Sequence, residues 1–179
     1  MKVEVFFSIT ILIYIAYRLW EMKVAVKNQK KLIKQFGSIE EVGQGQRLLM
    51  LILHTSWFVS LILEFSLNPQ LQIPAMVIIS CFFLLVSAWL RAHSMGALGI
   101  YWNTKIFKLK TPLIKSGVYK FFCYPNYLGV IIEFIFLPLL FKLYFTLIFF
   151  SIFNMIFLFF RIKLQNETHL IRTPIRNTL

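Results

Sequence analysis

The sequence predicts an all-α, polytopic membrane protein with about five transmembrane helices, an interfacial amphipathic helix and a cytoplasmic cap. Its 179 residues are 59% hydrophobic and only 15% charged, with a mean hydropathy of +0.74. A water-soluble chain of this length needs more charge to cover its surface, so lipid is the main solvent. Basic residues lie between the apolar runs, where anionic headgroups would meet them.

Five runs have the apolar content of spanning helices: residues 3–19, 48–67, 73–90, 127–141 and 144–160. About 20 residues are needed to cross a bilayer, so the first three fit and the last two are short. Leu137-Pro138-Leu139 and Lys142 mark a tight reversal between the last pair. After the first run, Met22, Ala25, Val26, Leu32, Ile33 and Phe36 recur at helical spacing. Lys23, Lys27, Lys30, Lys31 and Lys34 occupy most of the other side, the pattern of a helix lying in the interface and stopped by Gly37 and Ser38. Residues 91–126 contain Gly96, Gly99, Pro112, Gly117 and Pro125 and so break into short elements. Their aromatics, Tyr101, Trp102, Phe107, Tyr119, Phe121, Phe122 and Tyr124, predict a packed cap rather than disorder.

The loops supply an orientation. Arg18 to Arg47 carries seven basic residues, 91–120 carries six with no acid, and the tail adds Arg161, Lys163, Arg172 and Arg176. Only Lys2 and Lys142 fall on the other side. The positive-inside rule then puts the amino terminus outside and the carboxyl terminus in the cytoplasm. Lys2 precedes an apolar run as in a signal peptide, but no small-x-small cleavage site follows, which reads as a retained first helix. The net charge of +12 is distributed as topology marking, with no basic patch interleaved with exposed aromatics, so no nucleic-acid partner is expected. Cys81 and Cys123 have neither a Cys-x-x-Cys partner nor a histidine at zinc-finger spacing, so neither a disulfide framework nor a metal is expected.

Ionisable groups inside a span are costly and mark functional candidates. His54 and Glu64 lie in the second run and Glu133 in the fourth. Each also has a bland reading as a group that sets packing or depth. Arg161 and Gln165 share a helix face at the end of the last run, where a guanidinium can grip a carboxylate or enolate through two parallel bonds. Lys163 reads as a snorkelling anchor. No nucleotide fingerprint, P-loop or zinc-protease motif is present.

The stretch GVYKFFCYPNYLG over residues 117–129 resembles the central motif of the isoprenylcysteine carboxyl methyltransferase family. EMKVAVKNQKKLIKQFGSIEE (21–41), HTSWFVSLILE (54–64) and LGIYWNTKI (98–106) are similar to blocks of its smaller bacterial branch, and residues 161–170 resemble its final motif. The likeness covers nearly the whole chain in order, as one membrane-embedded methyltransferase-like domain over 1–179. The family pattern has Arg-His before the proline, where this chain has Cys123-Tyr124, and an acid where this chain has Gln165, its own acid standing at Glu167.

This resemblance implies methyl transfer from S-adenosylmethionine to an oxygen of a lipophilic carboxylate or enol, such as a prenylcysteine or an alkylpyrone, the bacterial-like blocks favouring the second. It implies cofactor contacts from Tyr119, Tyr124, Pro125, Tyr127, Leu128, Gly129, Asn166 and Glu167, with Tyr124 able to replace only the hydrogen-bonding part of the motif histidine. Arg161, with Gln165, would hold the acceptor, and His54 or Glu133 would serve as base for a neutral phenol or enol. Neither a metal nor a covalent intermediate is required, and the expected partners are a lipophilic small molecule and membrane lipid. The departures leave a second reading, a catalytically silent relative that binds lipid or a protein partner; a small transporter or channel subunit is a third.

Overall fold

The structure is a computed structural model that describes residues 2–108 and 116–170. Lys110, Pro112, Lys115, Arg172 and Arg176 lie outside the described residues. Five α-helices dominate: α1 (Val3–Phe36), α2 (Gln44–Leu67), α3 (Pro74–Leu98), α4 (Pro125–Leu140) and α5 (Tyr144–Leu170). Four of them, all but α4, are long and apolar enough to cross a membrane. The 16 residues of α4 span roughly 24 Å at the usual rise, so it is shorter than its neighbours. It packs chiefly on α3 and α5, and its Val130, Glu133, Phe134, Leu137 and Leu140 are all buried.

The interfacial helix expected after the first run is not a separate element. Nothing between Val3 and Phe36 is glycine or proline, so the helix continues for 34 residues, roughly 51 Å, well beyond a hydrocarbon core of about 30 Å. Its far half is held by its own polar and small residues. Asn28 donates to the carbonyls of Gly99 (3.1 Å) and Trp102 (2.9 Å), and Asn103 donates to that of Ala25 (3.1 Å). Of the expected apolar face, Ala25 and Leu32 are turned into the protein, while Met22, Val26, Ile33 and Phe36 stay exposed. Gly37 ends the helix as expected, at φ 77° with its N–H on the Ile33 carbonyl.

The cap consists of short pieces. Glu41–Val42 (β1) pairs antiparallel with Ile106–Phe107 (β2), and Glu41 forms ion pairs with Arg47 (3.1 Å) and Lys105 (2.9 Å). Two 3-10 turns, Gly99–Tyr101 and Gly117–Lys120, complete it. Gly43 holds φ at 72°, and a Cβ there would come within 2.3 Å of the Leu164 side chain, so this glycine lets the cap sit against the end of α5.

At the opposite end, α4 stops two residues after Pro138, and Lys142 takes φ 56° in the reversal before α5. Glu64 of α2 accepts the N–H groups of Phe145 (3.0 Å) and Thr146 (2.8 Å), satisfying donors that the first turn of α5 cannot pair internally. The core joins these pieces through aromatic stacks: Phe7 on Phe65 (3.7 Å), Trp57 on Phe134 (4.3 Å) and Phe83 on Phe136 (4.3 Å). Outward-facing Leu12, Ile78, Leu85, Ile148 and Phe159 are each at least 62% exposed, a surface that only lipid accommodates. The protein is an integral membrane protein.

Candidate functional site

Two polar clusters lie at successive depths along α4. The outer one forms where the beginning of α4 meets the end of α5. Pro125 opens α4 in its first turn, where a missing N–H costs nothing, and the Tyr124 carbonyl accepts the Leu128 N–H at 3.1 Å. One turn apart, the Tyr124 and Tyr127 rings lie parallel with centroids 5.6 Å apart. Opposite them, Arg161 and Gln165 share a face of α5. Arg161 Nε donates to the Tyr127 phenol oxygen (3.0 Å), and that phenol donates to Gln165 Oε1 (2.7 Å). Arg161 Nη2 also donates to the Thr104 carbonyl (2.7 Å), tying the cap to the pair. Tyr124 donates to Asn166 Oδ1.

Five of the residues expected from sequence, Tyr124, Tyr127, Arg161, Gln165 and Asn166, therefore meet in two hydrogen-bonded groups joined by the stacked tyrosines. Burial raises the Tyr124 phenol above its ordinary value, and pushes that of Tyr119, which bonds Ser94, up to about 12. Both hydroxyls are donors at neutral pH. Pro125 is buried beneath the set and Leu128 is half-buried beside it. Glu167 is exposed and makes no hydrogen bond or ion pair with a described residue.

The inner cluster holds four charges that sequence reasoning used only as topology marks or placed alone. Arg91 of α3 donates from Nε to Glu21 Oε1 (3.1 Å), from Nη2 to Glu21 Oε2, and from Nη1 to Glu133 Oε2 (3.4 Å). Arg18 donates to Glu21 (3.1 Å) and to Glu133, and Ser87 donates to Glu133 Oε1 (3.0 Å). Two guanidiniums and two carboxylates thus join α1, α3 and α4 without net charge, which makes their burial tolerable. Gly129 makes room for it: a Cβ there would meet Arg91 Cγ at 2.7 Å. The available signals were the i, i+3 pair Arg18 and Glu21 and the position of Arg91 at the end of an uninterrupted apolar run.

His54 stands beside both clusters. Its ring meets Phe134 edge-on at 5.2 Å, and it lies in electrostatic reach of Arg18, Arg91 and Arg161. Its Nδ1 bonds the Met50 carbonyl at 2.8 Å. Glu64, by contrast, is at the far end of the bundle as the cap of α5. A shallow groove of about 360 Å³ lies apart from both clusters, between α3 and the 116–118 segment, lined by His93 and Ser116 among others. Among the described residues no three His, Cys, Asp or Glu side chains converge.

Residues 76–172 match a family model described as the isoprenylcysteine carboxyl methyltransferase (ICMT) family. The chain is also 37% identical over 162 residues to the uncharacterized protein YpbQ of Bacillus subtilis (strain 168), an alignment that covers 90% of this chain and 95% of that protein. No solved structure matches it.

Proposed function

The chain belongs to the isoprenylcysteine carboxyl methyltransferase family, and from that premise we propose that it transfers a methyl group from S-adenosylmethionine to an oxygen of a lipophilic acceptor. The observation that carries the reading is the Arg161–Tyr127–Gln165 relay, which closes the α4–α5 junction together with Tyr124 and Asn166.

The chemistry of this set fits the methyl donor. Asn126 Oδ1, in the same first turn of α4, is buried without a partner among the described residues, an acceptor suited to an ammonium. Parallel tyrosine faces suit a sulfonium, and the Arg161 guanidinium suits a carboxylate. When bound, the donor supplies an already electrophilic methyl group, so the protein's work is alignment and exclusion of water. Arg161 is oriented from three sides, by the Tyr127 hydroxyl, the Thr104 carbonyl and the Tyr127 ring face 6.0 Å away. A fixed guanidinium in a dry bundle stabilises charge without reorganising during the reaction, and orientation itself contributes several kcal/mol. Glu133 acts by holding Arg18 and Arg91, and so the α1–α3–α4 wall.

The reading extends to placement. The basic loops support a cytoplasmic carboxyl terminus and an external amino terminus in a bacterial plasma membrane. The outer cluster would then open to the cytoplasm, where the donor is dissolved, and the lipid-facing helices would admit the acceptor's tail. The acceptor is a lipophilic carboxylate, enol or phenol. Calorimetric titration of the purified protein with S-adenosylhomocysteine tests the proposal: saturable binding is expected, and no heat at millimolar ligand sinks it. Methylation of a lipid extract, lost in Arg161→Ala, is the expected activity readout.

A further inference from the structure

We infer that Thr104 is a positioning residue of this site, its backbone carbonyl standing in for a carboxylate on Arg161. The carbonyl gives way when the amino-acid carboxylate of the methyl donor takes its place, and the 104–105 peptide turns as it does so. The inference rests on the methyl-transfer reading above and adds a moving part to that same site.

The guanidinium is already filled from within. Nε and Nη2 form the side-on edge of an arginine, a pair of parallel N–H groups that grips a carboxylate through two bonds. In Arg161 both are engaged, Nε by the Tyr127 hydroxyl (3.0 Å) and Nη2 by the Thr104 carbonyl (2.7 Å). The two contacts are not held equally. Tyr127 belongs to α4, and its own proton is committed to Gln165. Thr104 stands at an exposed bend between Trp102 and β2, and its hydroxyl bonds no described residue. A carboxylate brings a full opposite charge to the guanidinium, which a carbonyl does not, and a carbonyl released at an exposed bend is taken up by water. Thr104 is therefore the contact that yields.

The flanking residues confine the movement. On one side Trp102 is buried and its carbonyl accepts from Asn28 (2.9 Å), while Asn103 donates to the Ala25 carbonyl (3.1 Å). On the other, Lys105 pairs with Glu41 (2.9 Å), and Ile106 and Phe107 are paired with β1. The Thr104 carbonyl and the Lys105 N–H belong to one rigid peptide plane. That N–H donates to Asn103 Oδ1 at 3.1 Å. Turning the plane to free Arg161 therefore breaks the Lys105–Asn103 bond as well, which makes the Lys105 amide a direct reporter of the exchange.

The arrangement fixes the sign of an affinity change. Part of the binding free energy goes into turning the 104–105 peptide, so apparent affinity is lower than the freed guanidinium alone would give. A looser backbone at position 104 lowers that cost. A bend that merely scaffolded Arg161 for its ligand would give the opposite sign, since loosening it would scatter the guanidinium.

The test measures S-adenosylhomocysteine affinity and backbone amide exchange in wild type and in Thr104→Gly, a change at an exposed side chain that chiefly frees the backbone. Thr104→Gly is expected to bind S-adenosylhomocysteine roughly two- to fivefold more tightly. In wild type the ligand is expected to speed exchange of the Lys105 amide by about threefold or more, while the amides of β2 stay as protected as before. Decarboxylated S-adenosylhomocysteine, which lacks the group that displaces Thr104, is expected to leave Lys105 exchange unchanged. Equal or weaker binding by Thr104→Gly overturns the inference. So does a Lys105 amide that slows or stays the same with S-adenosylhomocysteine, or that speeds equally with the decarboxylated ligand. Failure of wild type to bind S-adenosylhomocysteine at all overturns the methyl-transfer reading, and the inference with it. Should Thr104→Gly not assemble, exchange at Lys105 in wild type decides.

Discussion

Arg161 on α5 and Tyr127 on α4 are joined by a 3.0 Å hydrogen bond in which the guanidinium donates and the phenol oxygen accepts, while the phenol's own proton goes on to Gln165. One hydroxyl therefore orients two polar side chains across the helix junction. Removing it leaves Arg161, among the described residues, to the Thr104 carbonyl and the Tyr127 ring.

Tyr127→Phe is accordingly expected to weaken S-adenosylhomocysteine binding by roughly tenfold, the loss of one hydrogen bond to a charged group. Lys163→Ala, which alters an exposed cation on the same helix, is expected to change it by less than about twofold. Calorimetry on both variants checks this; equal affinities would count against the assigned pocket.

The Arg18–Glu21–Arg91–Glu133 network predicts a stability effect independent of ligand. Glu133→Leu leaves Arg18 and Arg91 sharing Glu21 alone, with one uncompensated positive charge in the bundle, and is expected to cost about 3–5 kcal/mol. Thermal unfolding in detergent measures it, and a variant as stable as wild type would refute the buried pairing.

Glu64→Ala removes the acceptor for the Phe145 and Thr146 amides. By analogy with helix capping the expected loss is about 1–2 kcal/mol, with faster amide exchange confined to the first turn of α5. Exchange spread evenly over α5 would mean that the contact is incidental.

Tyr119 sets a limit on alkaline stability. Burial raises its phenol to about 12, above the unfolded value of about 10, so the folded state holds the proton longer. Stability from the neutral phenol is complete below about pH 10 and is lost as pH rises towards about 12. Tyr119→Phe cannot titrate and is expected to lose less stability than wild type across that window. Melting curves at both ends decide, and parallel losses would contradict the burial.

Much of this was legible in sequence because it is local. The runs of apolar residues, the stop at Gly37 and the reversal at Lys142 follow from hydropathy and backbone geometry within a few residues. The amphipathic stretch after the first run is helical but continuous with α1, for a reason the local pattern does not contain. An amphipathic stripe says that a face must be covered, and here part of that stripe is covered by the cap, through Asn28 and Asn103, with the helix never turning.

Sequence alone determined the solvent of this protein, the order of its helices and the residue types that its family likeness brings to the α4–α5 junction. Tertiary structure decided which charges neutralise one another. Arg18 and Glu133 are 115 positions apart, and Arg91 and Glu21 are 70. Periodicity states only that each lies on some face of a helix; which faces meet depends on close packing, such as Arg91 lying over Gly129. Glu133 and His54 look alike as ionisable residues in apolar runs, and only the packed bundle separates a carboxylate held by two guanidiniums from an imidazole whose Nε2 bonds to no described residue.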